Sequence, residues 1–97
     1  MPAYLVLANW TEQGIEDLKE SPDRLVAARN AIETAGGRLT AFYMTMGEYD
    51  LAAIIEAPDD ATVAGMLLGI ARRGSIRTKT LRAFEEDEFR SIIDTLP

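Results

Sequence analysis

Two apolar stretches joined by a short Gly-Glu-Tyr-Asp connection occupy the middle of the chain and restrict its fold more than any other feature. Residues 39–46 precede the connection and residues 51–55 follow it. Two β-prone segments separated by a short link with glycine and aspartate are typical of a hairpin. Gly47 permits the positive φ that tight turns need, and the Asp50 carboxylate can accept a hydrogen bond from its own backbone two residues further on. We therefore expect two adjacent antiparallel strands at the centre of the sequence.

Further strands and helices are predicted on both sides of this hairpin. Strands are expected at residues 3–9, 38–46, 51–57 and 75–84. Residues between the first two strands carry helix signals in two pieces or one kinked piece, with Thr11 as the N-cap of the first piece and Ser21 as the N-cap of the second. Asp59 is expected to cap the next helix, and Gly74 to end it. We expect Gly65 and Gly69, four residues apart within that helix, to mark close packing against another backbone; the alternative is that they leave space for a ligand.

The order of these elements predicts the fold class. A β-α-β-β-α-β order with a C-terminal helix is that of an α+β, ferredoxin-like fold with a four-stranded antiparallel sheet, which we expect to form a single domain over residues 1–97. The C-terminal helix begins with acidic residues that complement its dipole. Its apolar stripe consists of Phe89, Ile92, Ile93 and Leu96.

Apolar residues on both faces of the strands predict an assembly. In the first strand Tyr4, Val6 and Ala8 alternate with Leu5 and Leu7. In the second strand we expect Leu39, Ala41 and Tyr43 on one face and Phe42, Met44 and Met46 on the other. Two helices cover only one face of a sheet, so the other apolar face needs a partner. We expect a homodimer, or a higher even-numbered oligomer, with sheets packed face to face.

Composition and charge limit the classes of function. The 97 residues include no cysteine and no histidine, which removes the thiolate nucleophile, the commonest general base and the usual transition-metal ligands. We therefore expect no metal and no cofactor. The net charge of -6 argues against nucleic acid as a partner. No apolar run has the length of a membrane span and no signal pattern is visible at the N-terminus, so we expect a cytoplasmic protein without membrane contact.

Half of the basic residues lie within eleven positions near the C-terminus. These residues are Arg72, Arg73, Arg77, Lys79 and Arg82. One interpretation is a solvated strand edge followed by a helix start. The other is an anion-binding surface, because arginine suits carboxylate and phosphate recognition.

Several motifs together resemble the GYD domain family of small stand-alone proteins. The segments that carry the resemblance are residues 4–11, 19–23, 41–50, 56–59 and 77–84. This resemblance covers nearly the whole chain and includes the Gly47-Glu48-Tyr49-Asp50 turn. It implies a dimeric α/β-barrel fold and implies little about activity.

A looser resemblance concerns the effector-binding domains of leucine-responsive and asparagine-type bacterial regulators. Their pattern is similar at Gly47, Tyr49, Asp50, Gly74, Thr78 and Thr80. In those domains the turn lies near a small-molecule site at a subunit interface. The present sequence has no DNA-binding helix-turn-helix, so the resemblance implies ligand sensing and not transcriptional control.

We interpret the chain as an oligomeric module that binds or senses a small molecule, with an anionic or amphipathic ligand. The residues expected to bind it are Tyr49, Asp50, Gly47, Thr78, Thr80, Arg77, Asn9 and Trp10. A tyrosine ring offers stacking area and one hydroxyl, and the threonines and arginine add polar contacts. A structural interpretation stays open, in which Asp50 closes the turn and Tyr49 packs across the dimer.

The alternative is a cofactor-free enzyme of the small monooxygenase or isomerase type, acting in a cleft between sheet and helices. Its candidate groups are Asn9, Trp10, Tyr43, Tyr49, Asp50 and Arg82. Asp50 would act as a base only if burial raised its pKa. A narrower variant uses Pro2 as an N-terminal base after removal of Met1. Because no set of residues forms a known reaction centre, we favour binding over catalysis.

Overall fold

The computed structural model describes residues Met1 to Pro97 and contains one antiparallel sheet of four strands in the order β2-β3-β1-β4. The elements are β1 (Ala3–Trp10), α1 (Glu12–Glu16), α2 (Ser21–Thr34), β2 (Arg38–Met44), β3 (Leu51–Glu56), α3 (Asp60–Ala71), β4 (Ile76–Ala83) and α4 (Glu86–Asp94). A 3-10 turn over Leu18–Glu20 separates α1 from α2, which confirms a crossover in two pieces. The order and pairing of the strands confirm the ferredoxin-like fold.

Helix starts follow the predicted caps in two of three cases. The Thr11 hydroxyl accepts a hydrogen bond from the Gly14 amide at 3.2 Å, and the Asp59 carboxylate accepts one from the Thr62 amide at 2.8 Å. The prediction for Ser21 is wrong, because Ser21 is the first residue of α2 and its helix begins without a side-chain cap. The Ser21 hydroxyl instead accepts a hydrogen bond from the indole of Trp10 at 3.1 Å.

The core lies between one face of the sheet and helices α2 and α3. Alternate residues of β1 point toward the helices, and Tyr4 and Val6 are buried there with Ile55 of β3. Ile32 of α2 and Val63 of α3 pack against them from the other layer. Only 10 of the 97 residues are buried, so a single chain encloses a small core.

A bulge in β2 changes which residues share a face. Leu39 pairs with Ile55 and Ala41 pairs with Ile54, so Thr40 is the additional residue. Leu39 therefore packs against the core, whereas Ala41 lies on the opposite face. The expectation that both residues lie on one face was wrong, because a bulge shifts the alternation by one residue.

The opposite face of the sheet, here called the open face, has no helix over it. The strand register places Ala41, Ile54, Leu5 and Leu81 side by side across all four strands. The next row consists of Tyr43, Ala52, Leu7 and Lys79. Tyr43 is 64% exposed and Leu81 is 49% exposed. The open face therefore carries an apolar row across all four strands of a single chain, and Lys79 is the charged residue of the next row.

Helix α4 extends away from the rest of the molecule. The chain measures 53 × 31 × 18 Å and its radius of gyration is 14.7 Å, above the roughly 12.5 Å expected for a compact chain of this length. The four apolar side chains of the α4 stripe are all exposed, between 44% and 64%. A capping box formed by Glu85 and Glu88 begins the helix. No helix combines the length and the hydropathy that a membrane span requires.

The two glycines of α3 do not mark a packing contact. A Cβ atom added at Gly65 or Gly69 would meet no atom within 4 Å, so both positions face open space. The expectation of close packing against another backbone was wrong within the chain, because α3 buries its Val63 and Leu67 side instead. The exposed side of α3 is consequently made of small residues and Leu68.

Candidate functional site

The strand register divides the predicted ligand-binding residues between two regions. Asn9 and Arg77 are paired neighbours on the open face, close to the turn that carries Tyr49 and Asp50. Thr78 and Thr80 alternate with Arg77 on β4 and so point to the helix side. The predicted residues therefore form two groups, which lie on opposite faces of the sheet.

Residues 45–50 form a closed loop after β2. The Asp50 carbonyl accepts a hydrogen bond from the Thr45 amide at 2.7 Å, and the Tyr49 carbonyl accepts one from the Thr45 hydroxyl at 2.6 Å. Gly47 has φ +106°, the left-handed conformation that its position in the turn suggested. The loop therefore holds Tyr49 and Asp50 in place with hydrogen bonds that span the hairpin.

The Asp50 carboxylate ties this loop to the end of β1. One of its oxygens accepts hydrogen bonds from the Trp10 amide at 3.0 Å and from the Asn9 side chain at 3.3 Å. Asn9 also donates to the Glu48 carbonyl at 2.9 Å. The expected bond from Asp50 to its own backbone is not formed, because the β1 terminus supplies donors at the same place.

Tyr49 and the basic residues of β4 meet at the open face. The Lys79 ammonium lies 5.7 Å from the centre of the Tyr49 ring, within cation-π range. Arg77 is exposed on the same face, opposite Asn9. The basic residues predicted as one anion-binding surface are thus divided, since Arg82 lies on the helix side of β4.

A cleft of about 470 Å³ lies on the helix side, between α3 and β4. We call it the α3–β4 cleft. Its lining residues are Tyr4, Asp60, Val63, Ala64, Leu67, Leu68, Ala71, Thr78, Thr80 and Arg82. The two main helices leave this edge of the sheet uncovered, so that the side chains of β4 remain accessible. Six of the ten lining residues are hydrophobic, which gives the cleft an apolar wall along α3.

Three side chains form the polar end of this cleft. The Tyr4 hydroxyl donates a hydrogen bond to the Asp60 carboxylate. The Arg82 guanidinium lies 5.7 Å from the centre of the Tyr4 ring. The hydrogen bond to Asp60 raises the pKa of Tyr4, and desolvation raises it further, so that the phenol stays protonated at neutral pH.

Arg82 has several contacts that orient it at the mouth of the cleft. Its guanidinium lies 4.5 Å from the centre of the Phe84 ring and 3.6 Å from the Glu88 carboxylate. It also donates to the carbonyls of Ala3 and Ala83. The Arg82 side chain is still 30% exposed, so part of its hydrogen-bonding capacity faces solvent.

The sequence interpretation included Arg82 in the possible anion-binding surface and among the enzyme candidates, and it did not include Tyr4 or Asp60 in a site. Asp60 lies next to the predicted cap Asp59, and Tyr4 was placed only on one apolar face of the first strand. The threonines of β4 were one available signal, because Thr78, Thr80 and Arg82 alternate on one side of the strand. Their meeting with Tyr4 depends on the pairing of Tyr4 with Arg82 across the sheet.

Comparisons with known proteins agree with this fold. A protein-family model described as the GYD domain matches residues 4–93. The glutamine synthetase and cystathionine beta-lyase binding protein of Thermus thermophilus is 40% identical over 84 residues, which are 86% of the present chain and 88% of that protein.

Two solved structures have the same arrangement of strands and helices. A crystal structure of a Thermus thermophilus protein has a TM-score of 0.56 and 25% identity, covering 88% of this chain and 95% of that one. The feast or famine regulatory protein of M. tuberculosis, in complex with L-methionine, has a TM-score of 0.62 and 17% identity. The match covers 90% of the present chain and 54% of the regulator, and at this identity it shows the fold alone.

Proposed function

Because this chain belongs to the GYD domain family, we propose that it is a homodimeric, non-catalytic module that binds a small molecule and contacts an enzyme of metabolism. The observation that carries the ligand part of this proposal is the α3–β4 cleft, which has an apolar wall and a polar end. Pockets of roughly 300–1,000 Å³ with a few placed polar groups are typical of small-molecule sites. The name of the Thermus relative supports the enzyme-binding part.

The open face supports the homodimer. Its apolar row crosses all four strands, and the chain buries few residues by itself. Packing two such sheets face to face would remove both apolar surfaces from water with one symmetric contact. In this arrangement Tyr49, Arg77 and Asn9 would lie at the rim of the interface, where a second copy could complete a contact with a ligand. The α3–β4 cleft lies on the other side of the sheet and stays accessible.

Native mass spectrometry of gently purified protein tests the first two parts of the proposal. We expect an even-numbered oligomer that carries additional mass, and this mass should be lost on denaturation. The variant Ala64→Trp places a large ring in the cleft, whereas Ala61→Trp adds the same ring to the exposed part of α3 that does not line it. The first variant should lose the additional mass and the second should keep it.

Two results would contradict the proposal. A monomer at micromolar concentration would remove the dimer, and additional mass retained equally by both tryptophan variants would place the ligand elsewhere. The enzyme-binding part is tested separately by size-exclusion chromatography of the protein with purified glutamine synthetase and cystathionine beta-lyase from the same organism. Elution without any shift in either mixture would contradict that part.

The hydrogen bond between Tyr4 and Asp60 favours a second candidate function, a cofactor-free enzyme working in the same cleft. A tyrosine whose pKa is raised stays protonated at neutral pH and is a weaker acid, so in this cleft it would act by donating a hydrogen bond to negative charge that develops on the substrate, and not as a base. If the ligand identified above is converted to a product detectable by NMR, Tyr4→Phe should abolish conversion and retain binding. An unchanged ligand after long incubation with the wild-type protein would exclude this candidate.

A further inference from the structure

We infer that the α3–β4 cleft, whose role as a ligand site rests on the proposed function, takes an α-amino acid with a long apolar side chain. The carboxylate of this ligand would face Arg82 and its ammonium would face Asp60. The apolar side chain would lie along α3. Each part of the ligand corresponds to a part of the cleft.

The charges at the polar end are of opposite sign and belong to one site. Arg82 lies over the face of the Tyr4 ring, and Asp60 is bonded to the hydroxyl of the same ring. The two charges are thus held apart by a single tyrosine side chain. A zwitterionic ligand can contact both charges, whereas a ligand with one charge contacts only one of them.

The position of Tyr4 supports this division of roles. Tyr4 is 3% exposed and pairs with Arg82 across β1 and β4, so the ring is a fixed spacer between the two charges. The Tyr4 hydroxyl donates one hydrogen bond to the Asp60 carboxylate. The carboxylate has further lone pairs, which can accept hydrogen bonds from an ammonium group.

The surroundings of Arg82 restrict the ligand to one carboxylate. A neighbouring recess contains Arg82 together with the acidic side chains of Glu56, Glu85 and Glu88. Glu88 already lies 3.6 Å from the Arg82 guanidinium and occupies part of the position that a ligand carboxylate would take. A dicarboxylate or a phosphate would add negative charge to an acidic region, which like-charge repulsion opposes.

The apolar wall accounts for the rest of the ligand. Val63 and Leu67 are the buried part of this wall, and Leu68 is its 71% exposed part. A cleft of about 470 Å³ is larger than a small amino acid needs, so a long side chain would leave less of the wall in contact with water. Thr78 and Thr80 add hydroxyl groups on the β4 side.

Three matched probes test the assignment by NMR titration of the 10.7 kDa chain in its native assembly. L-2-aminooctanoate carries both charges, octanoate lacks the ammonium, and heptylamine lacks the carboxylate, while all three have an apolar chain of similar length. We expect L-2-aminooctanoate to bind about tenfold more tightly than either singly charged probe, since a hydrogen bond to a charged group is worth roughly this factor or more.

Two charge-neutralising variants make the test specific. Arg82→Gln should weaken L-2-aminooctanoate and octanoate by about tenfold and leave heptylamine unchanged. Asp60→Asn should weaken L-2-aminooctanoate and heptylamine and leave octanoate unchanged. Arg90→Gln, which removes a charge from an exposed position of α4, should change none of the three affinities. A purely structural role of Arg82 or Asp60 would alter all three probes together.

A third variant keeps the inference testable if Arg82→Gln does not fold. Glu88→Gln removes the internal competitor for Arg82 and should tighten octanoate by about two- to fivefold, the value of a typical exposed ion pair. Unchanged or weaker binding of octanoate to this variant would overturn the inference.

The remaining outcomes separate the inference from the proposed function. If the three probes fail to bind while Ala64→Trp still loses the additional mass, the cleft is a ligand site for another class of compound. If the probes bind and Ala64→Trp does not weaken them, the cleft is not their site, and the inference fails. If Arg77→Gln weakens octanoate and Arg82→Gln does not, the carboxylate binds at the open face, and the inference fails as well.

Discussion

Replacing Ile54 by lysine should dissociate the proposed homodimer while leaving the single chain folded. Ile54 lies on the open face, between Ala41 and Leu5 in the apolar row, and 39% of it is exposed in a single chain. In a symmetric dimer the substitution occurs twice. The dimer Kd should therefore change strongly on this substitution if two open faces form the interface.

The expected magnitude follows from burial and charge. Complete burial of an isoleucine is worth about 1.5–3 kcal/mol, so the part of Ile54 that remains exposed contributes roughly 0.6–1.2 kcal/mol per chain on dimerisation. A lysine in its place adds a desolvation cost, which we take as about 2 kcal/mol per chain because the long side chain can reach solvent. The sum over two chains is about 5–6 kcal/mol, and the dimer Kd should rise by roughly four orders of magnitude.

Sedimentation velocity from low to high micromolar protein measures this change. Circular dichroism and thermal melting should accompany it, because lysine in a central strand also lowers the stability of the single chain. Val26→Lys is the matched control, since Val26 is 53% exposed on α2, away from the open face. A folded Ile54→Lys protein with the wild-type dimer Kd would refute the reasoning, and so would equal dissociation of both variants.

Three further predictions concern the stability of the single chain, measured by urea unfolding. Gly14→Ala should destabilise the chain by about 1–3 kcal/mol, because the added Cβ would overlap the Ser75 carbonyl oxygen. The control Gly65→Ala adds a Cβ that meets no atom, and it should stabilise α3 by roughly 1 kcal/mol. Equal effects of the two substitutions would contradict the packing at α1. Asp50→Ala should cost about 1–3 kcal/mol, since the Trp10 amide loses its acceptor, and an unchanged midpoint would contradict that role. Two hydrogen bonds from Thr62 hold the pKa of Asp59 below its ordinary value of 3.8 in the folded chain, and the bond from the Thr62 side chain contributes more than the bond from its amide. The stabilisation from Asp59 is therefore present above that value and is lost as the pH falls through the folded-state pKa, and Asp59→Asn should remove this part of the acid sensitivity. An acid unfolding profile that is identical in both proteins would contradict this assignment.

Local signals were sufficient for most of the fold. Thr11 and Asp59 were identified as caps because a cap depends on a side chain and an amide three residues later. Ser21 satisfied the same pattern and failed, because its backbone is already helical (φ -53°, ψ -45°) where the 3-10 turn leads into α2, whereas an N-cap residue has an extended backbone. The bulge at Thr40 was not predictable either, since nothing in the alternation of β2 reveals where its pairing with β3 shifts by one residue.

The candidate site was less accessible than the fold. The turn at residues 47–50 was recognisable, but the hydrogen bonds of Asp50 to the end of β1 join residues 40 positions apart. Thr78 and Thr80 were chosen because they match the regulator pattern, and Arg77 because it can supply polar contacts to a ligand. In a strand adjacent residues point to opposite faces, so this group necessarily divides between the open face and the cleft.

Local periodicity and composition were enough to predict the order of strands and helices, the ferredoxin-like fold and the excess of apolar surface. The meeting of Tyr4, Asp60 and Arg82 at one end of a cleft arises only when the chain is folded. Tyr4 and Arg82 are brought together by the register of two strands at opposite ends of the chain, and Asp60 by the packing of α3 on the sheet. Such long-range pairing depends on how all the elements pack at once, and no single segment of the sequence encodes it.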